Sequence, residues 1–180
     1  WDVADRARPV VRTLAIEGRS AGATCLDFAR NDRGLFTGEG DGGVRSWDLP
    51  DGRERLWIPP HRGKVEGLSA SADGRFLLQI TRDGWALIWD LKEGRGARTL
   101  PGRWTSGAFL PDPSRLAMTR DANHGGDVVL IDRESGRVNL EFDRPRARGS
   151  QEESRVVFGR VAVASDGWTV AAAAAATVHP

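Results

Sequence analysis

Apolar and polar residues alternate in short runs along the chain, and each run ends at a group of turn-forming residues. In residues 24–49 and again in 65–91, three such runs are separated by turns that contain Asp or Asn close to Gly. Alternation with a period of two is typical of half-buried β-strands, and Asx and Gly residues supply the backbone angles of tight reversals. Each segment is therefore predicted to form strand, turn, strand, turn, strand.

The dipeptide Trp-Asp closes these units at a regular interval. It opens the chain at Trp1-Asp2 and returns at Trp47-Asp48 and Trp89-Asp90, with a degenerate copy at Ile131-Asp132, so the period is about 42 residues. A repeat of this length that ends in an alternating strand is the sequence signature of propeller blades, each a small antiparallel sheet. We therefore expect an all-β chain, a β-propeller in the form of an open arc of four-stranded antiparallel blades.

The same spacing extends the pattern through the rest of the chain. A poorer copy covers residues 105–132, and each pair is followed by a glycine-bearing turn and a short fourth strand, at residues 55–58, 97–100 and 138–142. The alanine run 171–176 favours a helix on intrinsic propensity. Because it occupies the repeat position of a blade's second strand, we predict a strand there and keep a helix as the alternative.

These units divide the chain into five predicted ranges. Closed propellers have about four to eight blades, so three whole blades predict an excerpt of a longer protein that supplies the remaining blades. The ranges are an outer strand of a preceding blade in 1–18, blades in 19–60, 61–102 and 103–143, and a loop with an incomplete following blade in 144–180.

On these residues the chain resembles the WD-repeat family of β-propellers. The resemblance covers almost the whole chain and is strongest in residues 61–91. It implies that each blade is tied by a network of His, Ser or Thr, Asp and Trp, whose groups can satisfy one another without water. The positions that match this network are His61, Thr81, Asp83 and Trp89 in one blade, and Asp41 and Trp47 in the blade before it. Two blades depart from the pattern, with Arg19 or Arg103 in the histidine position and Ile131 for Trp in the latter, and are expected to be tied less tightly.

Composition and charge narrow the functional classes. Lys and Arg number 26 and Asp and Glu 25, for a net charge of +1, which excludes a uniformly basic surface that holds nucleic acid by charge alone. The chain contains no run of about 18 apolar residues, so no membrane span is predicted.

Cys25 is the only cysteine, so we expect no disulfide within the chain, no cysteine-based zinc site and a reducing, cytoplasmic location. The excess of Arg over Lys favours a GC-rich, bacterial genome.

No motif in the sequence specifies catalysis or a cofactor. Residues 38–43 satisfy the dinucleotide pattern G-x-G-x-x-G, but a strand follows where that motif needs a helix N-terminus, so a blade turn is the better interpretation. Residues 121–132 carry oxygen ligands at calcium-loop spacing without the flanking helices. His61, His124 and His179 lack the spacing of a zinc helix. We therefore expect no enzyme activity, no metal and no cofactor.

Tryptophans outside the Trp-Asp pairs are the candidates for binding. Several lie near turns that also carry arginines, and Trp and Arg dominate the hot spots of protein interfaces. Packing of these rings between blades is the alternative, because large rings fill the wedge between tilted sheets. The candidate partner-binding residues are Arg62, Arg82, Trp85, Arg103 and Trp104.

These observations favour a non-enzymatic scaffold for protein–protein interaction, in which rigid blades present their turns to a protein partner. The competing hypothesis is a propeller that serves an enzyme, either as a sensor or regulatory domain fused to a kinase or protease or as a quinoprotein-like catalytic ring. The flanking coding sequence distinguishes the two, because it reveals any fused catalytic domain.

Overall fold

The structure, a computed structural model, describes residues 14, 21–29, 34–49, 51–120, 127–142, 155–164 and 169–177. Within these ranges every regular element is a β-strand, and no helix is present that is long and apolar enough to cross a membrane. Several predictions fall outside the described residues. They concern the outer strand in 1–18, the calcium-like turn 121–126, the loop 144–154, and Arg19, His124 and His179.

The strands form three four-stranded sheets and one two-stranded sheet, and in each sheet neighbours in the chain pair antiparallel. The first blade has β1 (Ala23–Phe28), β2 (Gly34–Glu39), β3 (Val44–Asp48) and β4 (Arg53–Ile58). The second blade has β5 (Val65–Ala70), β6 (Phe76–Thr81), β7 (Ala86–Asp90) and β8 (Arg95–Leu100). The third blade has β9 (Trp104–Phe109), β10 (Arg115–Arg120), β11 (Val128–Asp132) and β12 (Val138–Phe142), and a hairpin follows with β13 (Arg155–Val163) and β14 (Val170–Thr177).

This arrangement confirms the predicted all-β fold of four-stranded antiparallel blades in an open arc. The three complete sheets lie inside the ranges 19–60, 61–102 and 103–143, whose limits stay predictions. The alanine run lies in β14 and pairs along its length with β13, which confirms the predicted strand. Pairing satisfies the backbone groups that a helix would otherwise have satisfied within itself, so tertiary context overrides the propensity of alanine.

The first strands of successive blades lie side by side and are tied by side chains to the neighbouring main chain. An oxygen of the Asp27 carboxylate accepts a hydrogen bond from the N–H of Ala70 at 2.7 Å, and the Ser69 hydroxyl accepts one from the N–H of Phe109 at 3.1 Å. Asp27 and Ser69 occupy the same repeat position. The repeat therefore fixes not only the blade but also the contact between one blade and the next.

Apolar side chains fill the wedge between neighbouring blades. Leu78 and Ile80 of the second blade pack with Leu116 and Met118 of the third, and all four are at most 1% exposed. A second cluster around Leu77 joins the second blade to the first. Because burial of each such side chain stabilises the fold by about 1.5–3 kcal/mol, these clusters hold the turns at the ends of the strands in fixed positions.

Two tryptophans of the Trp-Asp pairs lie in the described part of the chain, Trp47 and Trp89, and each is held by a hydrogen bond inside its own sheet. The indole N–H of Trp47 donates to the Thr37 hydroxyl at 2.9 Å, and that of Trp89 donates to the side-chain carbonyl of Gln79 at 2.8 Å. Thr37 and Gln79 occupy the same repeat position, two residues beyond the one that pairs with the tryptophan. The acceptor is thus the diagonal cross-strand neighbour of the ring.

Thr81 does not have the role that the family resemblance implied. It lies two residues beyond Gln79 on β6, about 7 Å further along the strand, and its hydroxyl accepts from the backbone N–H of Trp85 at 3.2 Å. In the third blade the indole is replaced by Ile131 and the acceptor position by Met118, and both are buried. Donor and acceptor are lost together, so neither leaves an unpaired polar group in the core.

The other members of the implied network lie at the turns. The His61 side chain is exposed, and its ring meets the Trp89 ring edge-on with centroids 6.1 Å apart. The Asp41 carboxylate accepts from the N–H of Gly43 at 2.9 Å, and the exposed Asp83 follows the end of β6. Within the described residues no hydrogen bond joins His61 or Asp83 to Trp89, so a ring contact stands where the four-membered network was expected.

Candidate partner-binding surface

The connections between strands gather at two opposite ends of the blades. Because neighbouring strands are antiparallel, the β2–β3 and β6–β7 turns lie at the same end as the β4–β5 and β8–β9 connections. We call this the upper end. The β1–β2, β3–β4 and β5–β6 turns and their equivalents lie at the lower end. The two ends differ in how their charges are satisfied.

At the lower end, three carboxylates are satisfied by hydrogen bonds from nearby turn residues. Asp90 accepts from the Arg75 guanidinium at 2.8 and 3.0 Å, and this hydrogen-bonded cation holds the pKa of Asp90 below its ordinary value. The Asp132 carboxylate accepts from both the hydroxyl and the N–H of Ser135 at 2.6 Å, and these bonds lower its pKa. Asp112 has the same arrangement with Ser114. These three carboxylates have little capacity left for a partner, whereas Asp51 in the β3–β4 turn is exposed and makes no hydrogen bond or ion pair within the described residues.

Because the pKa values of these turn carboxyl groups are lowered in the folded chain, we expect the chain to lose stability in acid. A carboxyl group with a lowered pKa in the folded chain contributes stability that is complete above its unfolded pKa of about 3.9, and that is lost as the pH falls through the folded value. Asp132→Asn removes one such group, so its free energy of unfolding should fall less steeply than that of the wild type below about pH 5. Urea unfolding at several pH values measures the difference. Asp51→Asn is the control, because within the described residues that exposed carboxylate has no hydrogen bond or ion pair; an equal acid slope in all three proteins would contradict the prediction.

At the upper end, a cation lies on an aromatic ring. The guanidinium carbon of Arg62 lies 4.2 Å from the centroid of the Trp85 ring. Arg62 belongs to the β4–β5 connection and Trp85 ends the β6–β7 turn, so the contact crosses from the end of one blade to the next. The bond from the N–H of Trp85 to Thr81 fixes the base of the ring, which is partly buried. Arginine and tryptophan are thereby held in one place.

A second arginine reaches the same turn from the opposite connection. Arg103 lies in the β8–β9 connection, and a methyl group added to Gly84 would lie 3.4 Å from both its Cβ and its Nε. The N–H of Trp104 donates to the Gly84 carbonyl at 2.9 Å, which anchors that connection to the β6–β7 turn. Arg62 and Arg103 therefore converge on the turn that carries Trp85.

Two predicted binding residues have other roles or weaker contacts. Trp104 is 4% exposed and packs in the core between the second and third blades, so it is not available to a partner in this structure. Its ring fills the wedge that the tilted sheets leave, as the packing alternative required. Arg82 remains on the surface with its side chain 70% exposed, where it lies 3.5 Å from the Glu66 carboxylate. Such an exposed pair contributes little to stability, which leaves Arg82 free to contact another molecule.

A buried charge cluster in the first blade was not predicted from the sequence. The Arg45 guanidinium donates to Glu39 at 2.5 Å and to Glu54 at 2.6 Å, and it stacks 4.1 Å from the centroid of the Trp57 ring. Burial opposes the charge on Arg45, but the bonds to both carboxylates hold its pKa above the ordinary value. The sequence did contain a signal for this buried arginine. Side chains two residues apart lie on the same face of a strand, so Arg45 shares the face of the buried Trp47.

The first strands of the blades also line a cavity of about 260 Å³ near Asp27, Ser69 and Phe109. The Asp27 and Ser69 side chains there bond to the next blade, as described above.

No group of three or more His, Cys, Asp or Glu side chains in the described part of the chain is arranged to hold a metal. Burial raises the pKa of the Cys25 thiol, which packs against Val65 as a small apolar side chain.

Four-stranded antiparallel sheets that pack face to face, with their first strands side by side, define a β-propeller. A family model described as WD domain, G-beta repeat, matches residues 9–48. This match, the sheets and the relatives below identify the chain as a WD-repeat β-propeller, as predicted.

Two curated relatives and one solved structure illustrate the similarity. The chain is 30% identical over 129 residues to the small ribosomal subunit protein RACK1 of Caenorhabditis elegans, covering 71% of this chain and 39% of that protein. It is 34% identical over 94 residues to the WD repeat and SOCS box-containing protein 1 of Homo sapiens, covering 49% of this chain and 22% of that protein. The β-propeller domain of Myceliophteria thermophila Cps50 (Swd1) matches with a TM-score of 0.68 and 21% identity, over 87% of this chain and 52% of that one.

The chain thus spans well under half the length of the curated relatives it matches. Both of these relatives are eukaryotic, and they give no support to the bacterial source that the excess of arginine favoured.

Proposed function

We propose that this propeller is a non-enzymatic scaffold that binds a protein partner through the upper end of its second blade. We call the contact the Arg–Trp surface and define it by Arg62, Arg82, Trp85 and Arg103. The difference between the two ends carries the proposal. At the lower end the guanidinium groups of Arg75 and Arg133 also lie over a ring, that of Phe76, but both are hydrogen-bonded to other groups. At the upper end the Arg62 guanidinium lies on Trp85 and makes no hydrogen bond or ion pair within the described residues.

The composition of this surface supports a protein partner. Trp and Arg are enriched at the centres of protein interfaces, where a rigid ring and a planar cation lose little freedom on binding. The packed blades beneath supply the rigid support that such a site needs. One relative is named as a ribosomal subunit protein and so works in an assembly. A cytoplasmic location for this chain stays a prediction.

Site-specific cross-linking tests the proposal. A benzophenone side chain in place of the exposed Arg82 should cross-link a protein partner on illumination in cell extract, and the adduct should be lost when Trp85 is also replaced by alanine. The same side chain in place of Arg137, exposed at the lower end, is the matched control and should give no adduct. Mass spectrometry identifies the adduct. Cross-links from position 137 and none from position 82 would move the contact to the lower end and overturn the proposal.

A further inference from the structure

The guanidinium of Arg62 is held over the aromatic ring of Trp85. Its central carbon lies 4.2 Å from the centroid of the Trp85 ring, and the guanidinium carries five N–H groups in one plane. Within the described residues none of them makes a hydrogen bond or an ion pair. A planar cation that is held by a ring and has its N–H groups unbonded is the donor that a carboxylate binds with two parallel hydrogen bonds.

The backbone at this position is unusual as well. Among the described residues, Arg62 is the one non-glycine residue with a left-handed backbone, at φ 66°. Strained backbone of this kind concentrates at binding sites, where it aims a side chain. Asp83 lies near, since its Oδ2 would be 3.3 Å from a methyl group on the adjacent Gly63. Even so, Arg62 stacks on the ring and makes no ion pair with Asp83, so its charge stays available.

Arg103 supplies a second open cation on the same turn. It lies against Gly84, next to Trp85, and within the described residues its side chain has no ion pair or hydrogen bond. Only Arg82 of the surface is paired, with Glu66. The two open arginines, on either side of one aromatic turn, match two negative groups spaced along one extended segment.

We propose that the segment bound at the Arg–Trp surface is an acidic peptide, with one carboxylate on Arg62, another on Arg103, and the chain between them over Trp85. This inference rests on the proposed function and specifies its ligand. The carboxylates of Glu66 and Asp83 at the same surface oppose a continuous polyanion, because each would face a phosphate with like charge. The carboxylates of a peptide are separate from one another, so they can be placed on the arginines without facing Glu66 or Asp83. A protein segment therefore fits better than RNA.

Fluorescence anisotropy with a labelled peptide of alternating Glu and Ser tests the ligand class in the full chain. The peptide should bind, its affinity should fall as salt is raised, and the same peptide with Gln for Glu should not bind. Arg62→Gly suits the left-handed backbone and removes the cation, so it should weaken binding about tenfold, as should Arg103→Ala. Arg137→Ala, at the lower end, should leave the affinity within about twofold. Circular dichroism establishes that the variants are folded.

The outcomes separate this inference from the function it rests on. Binding of the Gln peptide as tightly as the Glu peptide, or equal affinity in Arg62→Gly and wild type, would overturn the acidic ligand. Tighter binding of oligouridine than of the Glu peptide, with the same dependence on Arg62 and Arg103, would replace it by RNA. A protein cross-linked at position 82 while the Glu peptide fails to bind would leave the scaffold in place and reject only the ligand class.

Discussion

Replacement of Arg45 by leucine should lower the free energy of unfolding by about 3–5 kcal/mol, the cost of breaking a buried ion pair by removal of one partner. The side chain of Glu39 is fully buried, and its Oε2 has no hydrogen-bond partner in the described part of the chain. Without Arg45 the whole carboxylate would lack a cation. Glu54 is partly exposed and can be hydrated instead. Urea unfolding followed by circular dichroism measures the loss.

The second blade supplies the matched control. Thr81 and Leu87 stand there at the repeat positions of Glu39 and Arg45, and both are buried. The double substitution Glu39→Thr with Arg45→Leu copies that pair into the first blade and removes the charge that the single substitution leaves behind. It should recover most of the lost stability, since well-packed uncharged residues often replace a buried ion pair at little cost and the second blade buries this same pair.

The comparison separates charge from packing. Arg45 also covers the Trp57 ring, and leucine in its place loses that contact in both variants. If the double variant were as unstable as the single one, the loss would come from the stack on Trp57 and not from the unpaired Glu39. The expected recovery would instead assign the loss of stability to the unpaired carboxylate of Glu39.

The strands could be predicted from the sequence because alternation and turn residues depend only on neighbouring positions in the chain. The repeat also allowed each position to be compared with the equivalent position in another blade. The alanine run shows the value of the repeat, since its own propensity favours a helix and only its place in the period indicates β14. Position in the repeat also predicted the fourth strands, which the structure has at Arg53–Ile58, Arg95–Leu100 and Val138–Phe142.

The side chains that tie and line the blades were harder to predict, because they depend on register and on depth. The acceptor for Trp89 is Gln79 because Leu77 pairs opposite the ring, and that pairing is set by the whole sheet. Trp85 and Trp104 both stand next to a turn in the sequence. Trp85 is partly exposed under an arginine, whereas Trp104 is buried in the core between the second and third blades.

Gly42→Ala should destabilise the chain by about 3 kcal/mol or more, because strain and overlap add at one position. Gly42 has a φ of 99°, where a side chain is disfavoured, and an added Cβ would lie 2.6 Å from the carbonyl oxygen of Gly63. The obstacle is backbone, so no rotation of a side chain relieves it. The Gly42 carbonyl also accepts from the Gln79 amide at 3.1 Å. The turn thus joins the first blade to the second, and its displacement should weaken that contact.

Gly74→Ala is the control for strain alone. Gly74 has a φ of 69°, and an added Cβ would meet nothing within 4 Å, so we expect a loss of about 1–2 kcal/mol. Equal losses in the two variants by urea unfolding would mean that the β4–β5 connection moves aside freely. The overlap also has a consequence for binding, because Gly63 directly follows Arg62. Where both variants remain folded, Gly42→Ala should shift Arg62 from Trp85 and weaken the acidic peptide, whereas Gly74→Ala, at the lower end, should bind as the wild type does.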